Sequence, residues 1–356
     1  MTILLNPGPV NLSERVRQAL LQPDLCHREI EFSRLQDDIR AKLLEVYGLD
    51  PATWAAVLLT GSGTAALEAM VCSMMPAAAR ILILENGVYG ERLRQIAGIH
   101  NISYQTLHHP WTGAIDSAAL ERVLAHDISH VAVVHHETTT GRLNDIDAIA
   151  GICRKRNLPM LLDGVSSFGA EQIRFEDWNI AACAATANKC LHGVPGVSFV
   201  ILKRALLPAN TSQRSLYLDL PAYLQQQDSG GTPFTQSVQG FYALNEALNE
   251  HREEGGWQAR RAIYRERMAL VATGLLQLGI KPLLPEGSSS CVLNAFHIPD
   301  GQNYQTVHDR LKEQGFIIYA GQGDFARSIF RISLMGAIAR ADIERLLAAF
   351  ATLLSE

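Results

Sequence analysis

No apolar run of about 18 residues or more occurs in this chain of 356 residues, so the sequence offers no helix able to cross a membrane. The opening residues Met1–Leu5 do not resemble a secretory leader. The six cysteines include no Cys-x-x-Cys pair, and most sit among apolar or small residues. They are Cys26, Cys72, Cys153, Cys183, Cys190 and Cys291. We therefore expect a cytoplasmic protein with reduced thiols.

Concentrated positive charge is also absent. The formal net charge is −5, and acidic and basic residues are spread through the chain. The densest basic run, Arg154-Lys155-Arg156, falls at the end of a predicted helix and indicates a solvated face. The sequence therefore predicts no nucleic-acid surface and no membrane anchor, and we expect small molecules as substrates.

Common nucleotide and metal motifs are missing. The segment Thr60–Thr64 lacks the Gly-Lys-Ser/Thr of a Walker loop, and Ala66 stands where a dinucleotide motif has its last glycine. His135 and His136 are neighbours on a predicted strand and point to opposite faces, and no His-x-His or His-Glu-x-x-His spacing occurs. We expect neither a nicotinamide cofactor nor a catalytic metal.

Short apolar segments alternate with helix-length amphipathic segments through the first two-thirds of the chain. The segments predicted as buried strands are 55–59, 81–84, 131–134, 160–162 and 197–201. Strands that are apolar on both faces and separated by helices are typical of a mostly parallel sheet. The sequence therefore predicts the α/β class.

The pattern changes near Glu253–Gly256, where a long predicted helix at 257–278 leads into a smaller α+β segment. Its predicted strands are 292–296, 316–319 and 329–332, and its predicted helices are 304–314 and 340–354. Pro7 and Pro9 lack amide donors, which predicts an extended segment lining a cleft. We divide the chain into an N-terminal segment at 1–14, a large domain at 15–255 and a small domain at 256–356.

Polar clusters follow four of the predicted strands. They are 60–64, 85–90, 135–141 and 163–169. In open sheets of this kind, ligands bind in the crevice outside the carboxyl ends of the strands. The sequence therefore predicts a ligand site at that edge.

Lys189, one of six lysines, is the only charged residue between Asn179 and Leu202. A desolvated lysine without a carboxylate partner loses its proton easily and becomes a nucleophile. The alternative is a solvated loop lysine. A nucleophilic Cys190 beside it is a second alternative.

Asp163 closes a predicted strand 26 residues before Lys189. Taken alone, it is equally consistent with a carboxylate that caps a turn. The segment Thr60–Thr64 opens a predicted helix, where a phosphate is favoured by free amide groups, although a glycine-rich turn with an N-cap hydroxyl is an equal alternative. Tyr89 is a candidate aromatic plate or a packing residue.

These features together predict the cofactor pyridoxal 5'-phosphate. It needs a lysine for its aldehyde, a carboxylate for its ring nitrogen, a phosphate cup and a plate against its ring. Lys189, Asp163, Thr60–Thr64 and Tyr89 are the candidates, and the hydroxyls of Glu137–Gly141 are candidates for its phenolic oxygen.

The ordered motifs resemble the class V family of fold-type I pyridoxal phosphate enzymes over nearly the whole chain. The segments that carry the resemblance are 5–9, 61–63, 86–90, 136–141, 163–169, 187–190, 193–196, 312–316 and 330–332. The segments Glu137–Gly141 and Ala187–Cys190 are similar to the branch that acts on phosphonates. The resemblance implies a fold-type I transferase, in which the large domain has a mostly parallel sheet of seven strands flanked by helices.

The resemblance assigns roles residue by residue. Lys189 matches the lysine that binds the cofactor, Asp163 the partner of the pyridine nitrogen, and Tyr89 the aromatic that stacks on the ring. The other implied cofactor contacts are Ser62, Gly63, Thr64 and Asn188 at the phosphate and Thr138 at the phenolic oxygen. Thr235 matches a phosphate contact that comes from the neighbouring subunit, which implies a homodimer with shared active sites. Substrate contacts are expected at Arg331, Arg28, Pro7 and Gly8.

Two segments depart from the phosphonate branch. Cys26–Phe32 is closer to the His-Arg-x-x-Glu-Phe segment of alanine–glyoxylate transaminases, and Arg28 either binds a substrate anion or pairs with Glu31. Thr232 stands where some relatives have tyrosine.

The resemblance implies amino transfer from 2-aminoethylphosphonate to pyruvate as the expected reaction. The alternatives are another class V reaction, such as alanine–glyoxylate or serine transamination or elimination from an aminophosphonate, and a non-catalytic regulator that binds the cofactor.

Overall fold

The computed structural model describes residues 2–124, 126–208 and 213–355. The α-helices are α1 (Glu14–Ala19), α2 (Ile30–Glu45), α3 (Gly63–Met74), α4 (Val88–Ile99), α5 (Ser117–Val123), α6 (Ile146–Lys155), α7 (Leu220–Asp228), α8 (Val238–Glu253), α9 (Gly256–Gln277), α10 (Tyr304–Glu313) and α11 (Arg340–Ser355). The strands are β1 (Ile3–Leu4), β2 (Trp54–Thr60), β3 (Arg80–Glu85), β4 (Ser103–His108), β5 (Ile128–Val134), β6 (His136–Glu137), β7 (Arg142–Leu143), β8 (Met160–Asp163), β9 (Ile180–Thr186), β10 (Val197–Lys203), β11 (Leu293–His297), β12 (Phe316–Ile317), β13 (Tyr319–Ala320) and β14 (Ile329–Ser333).

The main sheet has seven strands in the order β2-β10-β9-β8-β5-β3-β4. Only β10 runs against its two neighbours, β9 and β2. The connection from Thr186 to Val197 is short, and it reverses the chain, whereas a parallel return needs a crossover of a dozen or more residues. The predicted α/β class with a mostly parallel sheet is therefore confirmed.

Alternate residues of each central strand enter different cores, which explains why both faces are apolar. In β2, Trp54, Ala56 and Leu58 face a core shared with α2, α5, α6 and α8. The intervening Ala55 and Leu59 face a second core shared with α3, α4 and α7. The period of two along a strand thus sandwiches the sheet between two layers of helices.

Two strands of the main sheet lie outside the predicted segments. Strand β9 contains four alanines, which have low β propensity, yet it is fully buried between β8 and β10. Strand β4 is polar because it forms an edge of the sheet. Pairing with neighbouring strands, which is not visible in the local sequence, determines both.

The C-terminal residues form a separate three-stranded sheet in the order β11-β14-β13. The predicted strand at 316–319 is divided, since β12 pairs with β1 and β13 pairs with β14. Ile3 and Leu5 pack into the same core as α9, α10 and α11. The N-terminal segment therefore packs on the C-terminal part of the chain before it leads to the main sheet.

The cysteines are free thiols, and Cys26 is the exposed one. Within the ranges that the structure describes, none of the helices combines the length and the apolar character that a membrane crossing requires.

Candidate active site

The carboxyl edge of the main sheet is the edge at which all strands except β10 end. Thr60 ends β2, Glu85 ends β3, Asp163 ends β8 and Thr186 ends β9. The parallel register places the predicted polar clusters along this one edge. The connection that carries Lys189 leaves from the same edge.

Lys189 is partly buried, and its Nζ donates a hydrogen bond to the carbonyl oxygen of Pro7. Within the described residues it makes no ion pair with a carboxylate. Burial lowers the pKa of Lys189 to about 8, because the charged amine loses contact with water and has no carboxylate within ion-pair distance among the described residues. About a tenth of the amine is therefore unprotonated at pH 7, far more than for an ordinary lysine.

Gly8 packs directly against the Lys189 side chain. Its φ is +104°, a left-handed conformation that favours glycine, and a β-carbon there would lie 2.8 Å from Lys189 Cδ. The backbone of the N-terminal segment thus packs along the side chain of Lys189. Of the predicted substrate residues, the structure brings Pro7 and Gly8 to Lys189.

Asp163 is buried, with 3% of its surface exposed. Its Oδ1 accepts a hydrogen bond of 2.9 Å from the Val165 amide. Asp163 therefore does cap its turn, which is the alternative role predicted above for this carboxylate. Its other oxygen makes no hydrogen bond within the described residues and remains available to a ligand. Burial is the largest cause that raises the pKa of Asp163 to about 7, and the charge of Glu137 adds to it.

Helix α3 begins at Gly63 without a side-chain cap. Ser62 is its exposed N-cap residue, but the Ser62 hydroxyl makes no capping hydrogen bond. A β-carbon at Gly63 would lie 2.8 Å from Val165 Cγ1, so the helix start lies close to the loop after Asp163. Its free amide groups and positive dipole end form a site suited to a phosphate.

Asn188 and Thr64 flank this helix start with polar groups. The Thr186 hydroxyl donates to Asn188 Oδ1 over 2.8 Å, which leaves the Asn188 amide hydrogens for another acceptor. The Thr64 hydroxyl accepts a hydrogen bond of 3.2 Å from Arg92. Both side chains are therefore oriented donors beside the proposed phosphate position.

Tyr89 lies in the first turn of α4, and Glu137 caps that turn. The Glu137 carboxylate accepts from the amides of Tyr89 (3.1 Å), Gly90 (3.3 Å) and Thr139 (3.1 Å). Burial raises the pKa of Glu137, and these donors oppose that change. A β-carbon at Gly87 would collide with the Glu137 side chain, so a glycine is needed there. This positioning role of Glu137 is not visible in the sequence, because the cap lies 48 residues from the helix it holds.

The three threonines of the Glu137–Gly141 motif have different roles. The Thr139 hydroxyl donates to Glu137 over 2.6 Å and accepts from the Val88 amide. The Thr140 hydroxyl donates to the carbonyl of Trp111 over 3.4 Å. Only the Thr138 hydroxyl is without a hydrogen bond among the described residues. The predicted set of free hydroxyls is therefore reduced to Thr138.

Arg331 on β14 is 1% exposed and reaches this edge from the C-terminal sheet. Its Nε donates to the Ala320 carbonyl over 2.8 Å, and its Nη1 donates to the Thr138 carbonyl over 2.9 Å. No carboxylate neutralises it within the part of the chain that the structure describes, and burial lowers its pKa. A buried guanidinium held by neutral carbonyl groups is suited to binding an anionic substrate.

The structure does not bring Thr235 or Arg28 to Lys189 through any contact. Both side chains are exposed and make no hydrogen bond within the described residues. Arg28 does not form the alternative ion pair with Glu31. Thr232 donates within its own loop, to the carbonyl of Phe234 over 3.3 Å.

Cys190 is not a nucleophile in this structure. Burial raises the pKa of its thiol to about 12, so the reactive thiolate is scarce at neutral pH. His135 and His136 bond through Nδ1 to the Ser167 hydroxyl and to the Ser166 carbonyl, respectively. Lys189 is therefore the available nucleophile at this edge.

Comparison with known proteins confirms the class V resemblance over almost the whole chain. A family model described as aminotransferase class-V matches residues 18–346. A 2-aminoethylphosphonate–pyruvate transaminase from Vibrio vulnificus (strain YJ016) is 38% identical over 355 residues, covering 98% of this chain and 96% of the relative. An aspartate aminotransferase of subgroup IV from Thermus thermophilus has a TM-score of 0.89 at 28% identity and covers 99% of both chains. An alanine–glyoxylate aminotransferase from Nostoc sp. has a TM-score of 0.92 at 25% identity, covering 99% of this chain and 95% of the other.

Substitution of Gly8 by alanine is expected to weaken binding of pyridoxal phosphate, because the new methyl group displaces Lys189. Gly48→Ala is the matched control, since Gly48 also has a positive φ of +63° but has no atom within 4 Å of the added carbon. Both variants should lose about 1–2 kcal/mol of stability. Absorbance titration should show weaker binding only for Gly8→Ala, and equal binding by the two variants contradicts the packing role.

Substitution of Asp163 by asparagine is expected to stabilise the cofactor-free protein at high pH. The folded chain has a pKa of about 7 at Asp163 against an ordinary 3.8, so the stability of the parent falls as pH rises between these values. Above pH 7, Asp163→Asn should be more stable by on the order of 4 kcal/mol. Urea unfolding at pH 5 and pH 8 measures this difference.

The control for this measurement is Asp177→Asn, which changes an exposed carboxylate. Asp177→Asn makes the same chemical exchange at an exposed position, so it reports the effect of that exchange without burial. A destabilised Asp163→Asn at pH 8, or a difference that does not grow with pH, would show that Asp163 is not held in a desolvated state.

Proposed function

This chain belongs to the aminotransferase class-V family, and from that premise we propose that it transfers the amino group of 2-aminoethylphosphonate to pyruvate with pyridoxal phosphate as cofactor. The products are phosphonoacetaldehyde and alanine. The name of the Vibrio vulnificus relative supports the substrate pair. One observation carries the proposal. Lys189, which has no carboxylate partner within the described residues, lies at the same sheet edge as Asp163, the open start of α3 and Arg331.

The residues at this edge fit the cofactor. The uncapped N-terminus of α3 suits its phosphate, the free oxygen of Asp163 suits its protonated ring nitrogen, and the Lys189 amine suits its aldehyde. When bound, pyridoxal phosphate supplies an electron-accepting ring attached to the substrate nitrogen. Lys189, Tyr89, Asn188 and Thr138 would hold it.

Lys189 acts as the base of the reaction. Its Nζ would accept the proton from the substrate carbon that carries nitrogen and would release it again later in the transfer, so that the amine ends neutral. The lowered pKa of about 8 favours the basic amine, and the Pro7 carbonyl holds Nζ at the cleft. Asp163 would support this step, because a carboxylate beside the ring nitrogen of the bound cofactor would favour its protonated form.

Arg331 binds the anionic end of the substrates. Pyruvate carries a carboxylate and 2-aminoethylphosphonate carries a phosphonate, and the two substrates use the site in turn. Its Nε donates to Ala320 and its Nη1 to Thr138 and to Gln322 Oε1, so Nη2, which makes no hydrogen bond within the described residues, is the group that donates to either anion. The carbonyl groups of Ala320 and Thr138 fix its plane before the substrate arrives.

We propose a homodimer in the cytoplasm, with the partner subunit's Thr235 at the cofactor phosphate and Arg28 near the substrate. The support is that both residues are exposed and make no hydrogen bond or ion pair with the described residues of their own chain. The proposed division into 1–14, 15–255 and 256–356 is supported by the separate core of β11, β14 and α11.

Single-turnover spectroscopy tests the substrate assignment. The protein loaded with pyridoxal phosphate is mixed separately with 2-aminoethylphosphonate, alanine and serine, and loss of its visible absorbance is followed. We expect 2-aminoethylphosphonate to convert the cofactor fastest and pyruvate to restore it. Alanine should also convert the cofactor, because it reverses the half-reaction of pyruvate. If 2-aminoethylphosphonate fails while serine converts it, another class V reaction is the function; binding without conversion by any amine would indicate a regulator.

A further inference from the structure

Arg92 connects two parts of the candidate site that the roles above treat separately. It lies on α4 three residues after Tyr89, on the same face of the helix. Its guanidinium carbon is 4.6 Å from the centre of the Tyr89 ring. Its Nη1 donates to the Thr64 hydroxyl over 3.2 Å, at the start of α3. One cation therefore touches both the aromatic plate and the proposed phosphate cup.

The charge of Arg92 is not neutralised by a carboxylate within the described residues. Arg94, on the same helix, gives the contrast, because its Nε is 2.9 Å from Glu85 Oε1 in an ordinary ion pair. Arg92 is half-buried and held over Tyr89 rather than extended into solvent. A positive charge thus faces the cup without an internal counterion, which favours an incoming dianion.

The Thr64 hydroxyl is polarised in a defined direction. A hydroxyl group that accepts from a guanidinium keeps its own hydrogen for a second partner, and hydrogen bonds in such a chain strengthen one another. The Thr64 hydroxyl donates to no acceptor among the described residues. Its hydrogen is therefore available to a phosphate at the open start of α3.

Arg92 also acts electrostatically on the two ionisable residues of the site. Its charge lowers the pKa of Lys189, which favours the neutral amine, and lowers the pKa of Asp163, which favours the carboxylate. Both effects act toward the protonation states that the proposed function needs. Burial remains the larger influence on each residue.

We propose that Arg92 is a positioning residue that makes the site selective for the phosphorylated form of the cofactor. It directs the Thr64 hydroxyl toward the phosphate, balances the charge of the phosphate dianion and fixes the Tyr89 ring. This inference rests on the proposed function for the identity of the cofactor, but not for the identity of the amino donor.

The test compares binding of pyridoxal phosphate with binding of pyridoxal, which lacks the phosphate, to the cofactor-free protein. Arg92→Gln should weaken pyridoxal phosphate by about 10- to 100-fold, the effect of one charge-assisted hydrogen bond, and pyridoxal by less than about threefold. Arg92→Lys should recover part of the loss because it keeps the charge but loses the planar fork. The matched control Arg94→Gln should change neither affinity by more than about twofold.

Thr64→Val provides a second route to the same quantity if Arg92→Gln folds poorly. It removes the hydroxyl that Arg92 directs, and it should weaken pyridoxal phosphate selectively as well. The double variant should lose less than the product of the two single effects, because the residues act on the phosphate together.

Two outcomes overturn the proposal while leaving the proposed function intact. They are an equal loss of both ligands in Arg92→Gln, which indicates a structural role, and no loss of either. If the parent protein binds neither ligand at Lys189, the proposed function and this inference fail together. Failure of 2-aminoethylphosphonate to react, by contrast, affects only the substrate assignment.

Discussion

Burial removes water from Lys189 and Asp163, and this loss governs the chemistry of the candidate site. Burial disfavours the charged form of each side chain, and neither is neutralised by a direct ion pair. The Pro7 carbonyl and the Val165 amide offset only part of this cost. The cofactor-free fold therefore retains an unfavourable free energy that a ligand with complementary groups relieves, so that binding and stability are coupled.

The elements around this pair give a fixed geometry to the remaining contacts. The carboxyl edge brings the start of α3 beside Asp163, and Glu137 holds the first turn of α4 so that Tyr89 is fixed. Arg331 arrives from the C-terminal sheet and bonds to the carbonyl of Thr138, in the same motif as Glu137. Arg331, the proposed substrate-binding arginine, and Tyr89, the proposed aromatic plate, are thus attached to one short segment, which would couple the position of substrate to that of cofactor.

The sequence predicts those features whose signal is local. Most central strands are recognisable because they are apolar on both faces. Lys189 is recognisable because charge is scarce around it, and Asp163 because it closes an apolar strand. Strand β9 is missed because alanine has little β propensity and the flanking strands determine its conformation. Glu137 and Arg92 have partners in distant segments, so their roles become visible only in the fold. The roles expected for Arg28 and Thr235 stay predictions, since neither side chain has a hydrogen bond or ion pair within the described part of the chain.

Reductive trapping shows whether Lys189 is the residue that binds the cofactor aldehyde. The protein is loaded with pyridoxal phosphate, its visible spectrum is recorded, and it is reduced with borohydride, digested and mapped. The label should be found on the peptide that contains Lys189, and Lys189→Ala should bind the cofactor only noncovalently. A label on any other lysine, or an unchanged label in Lys189→Ala, would contradict the account.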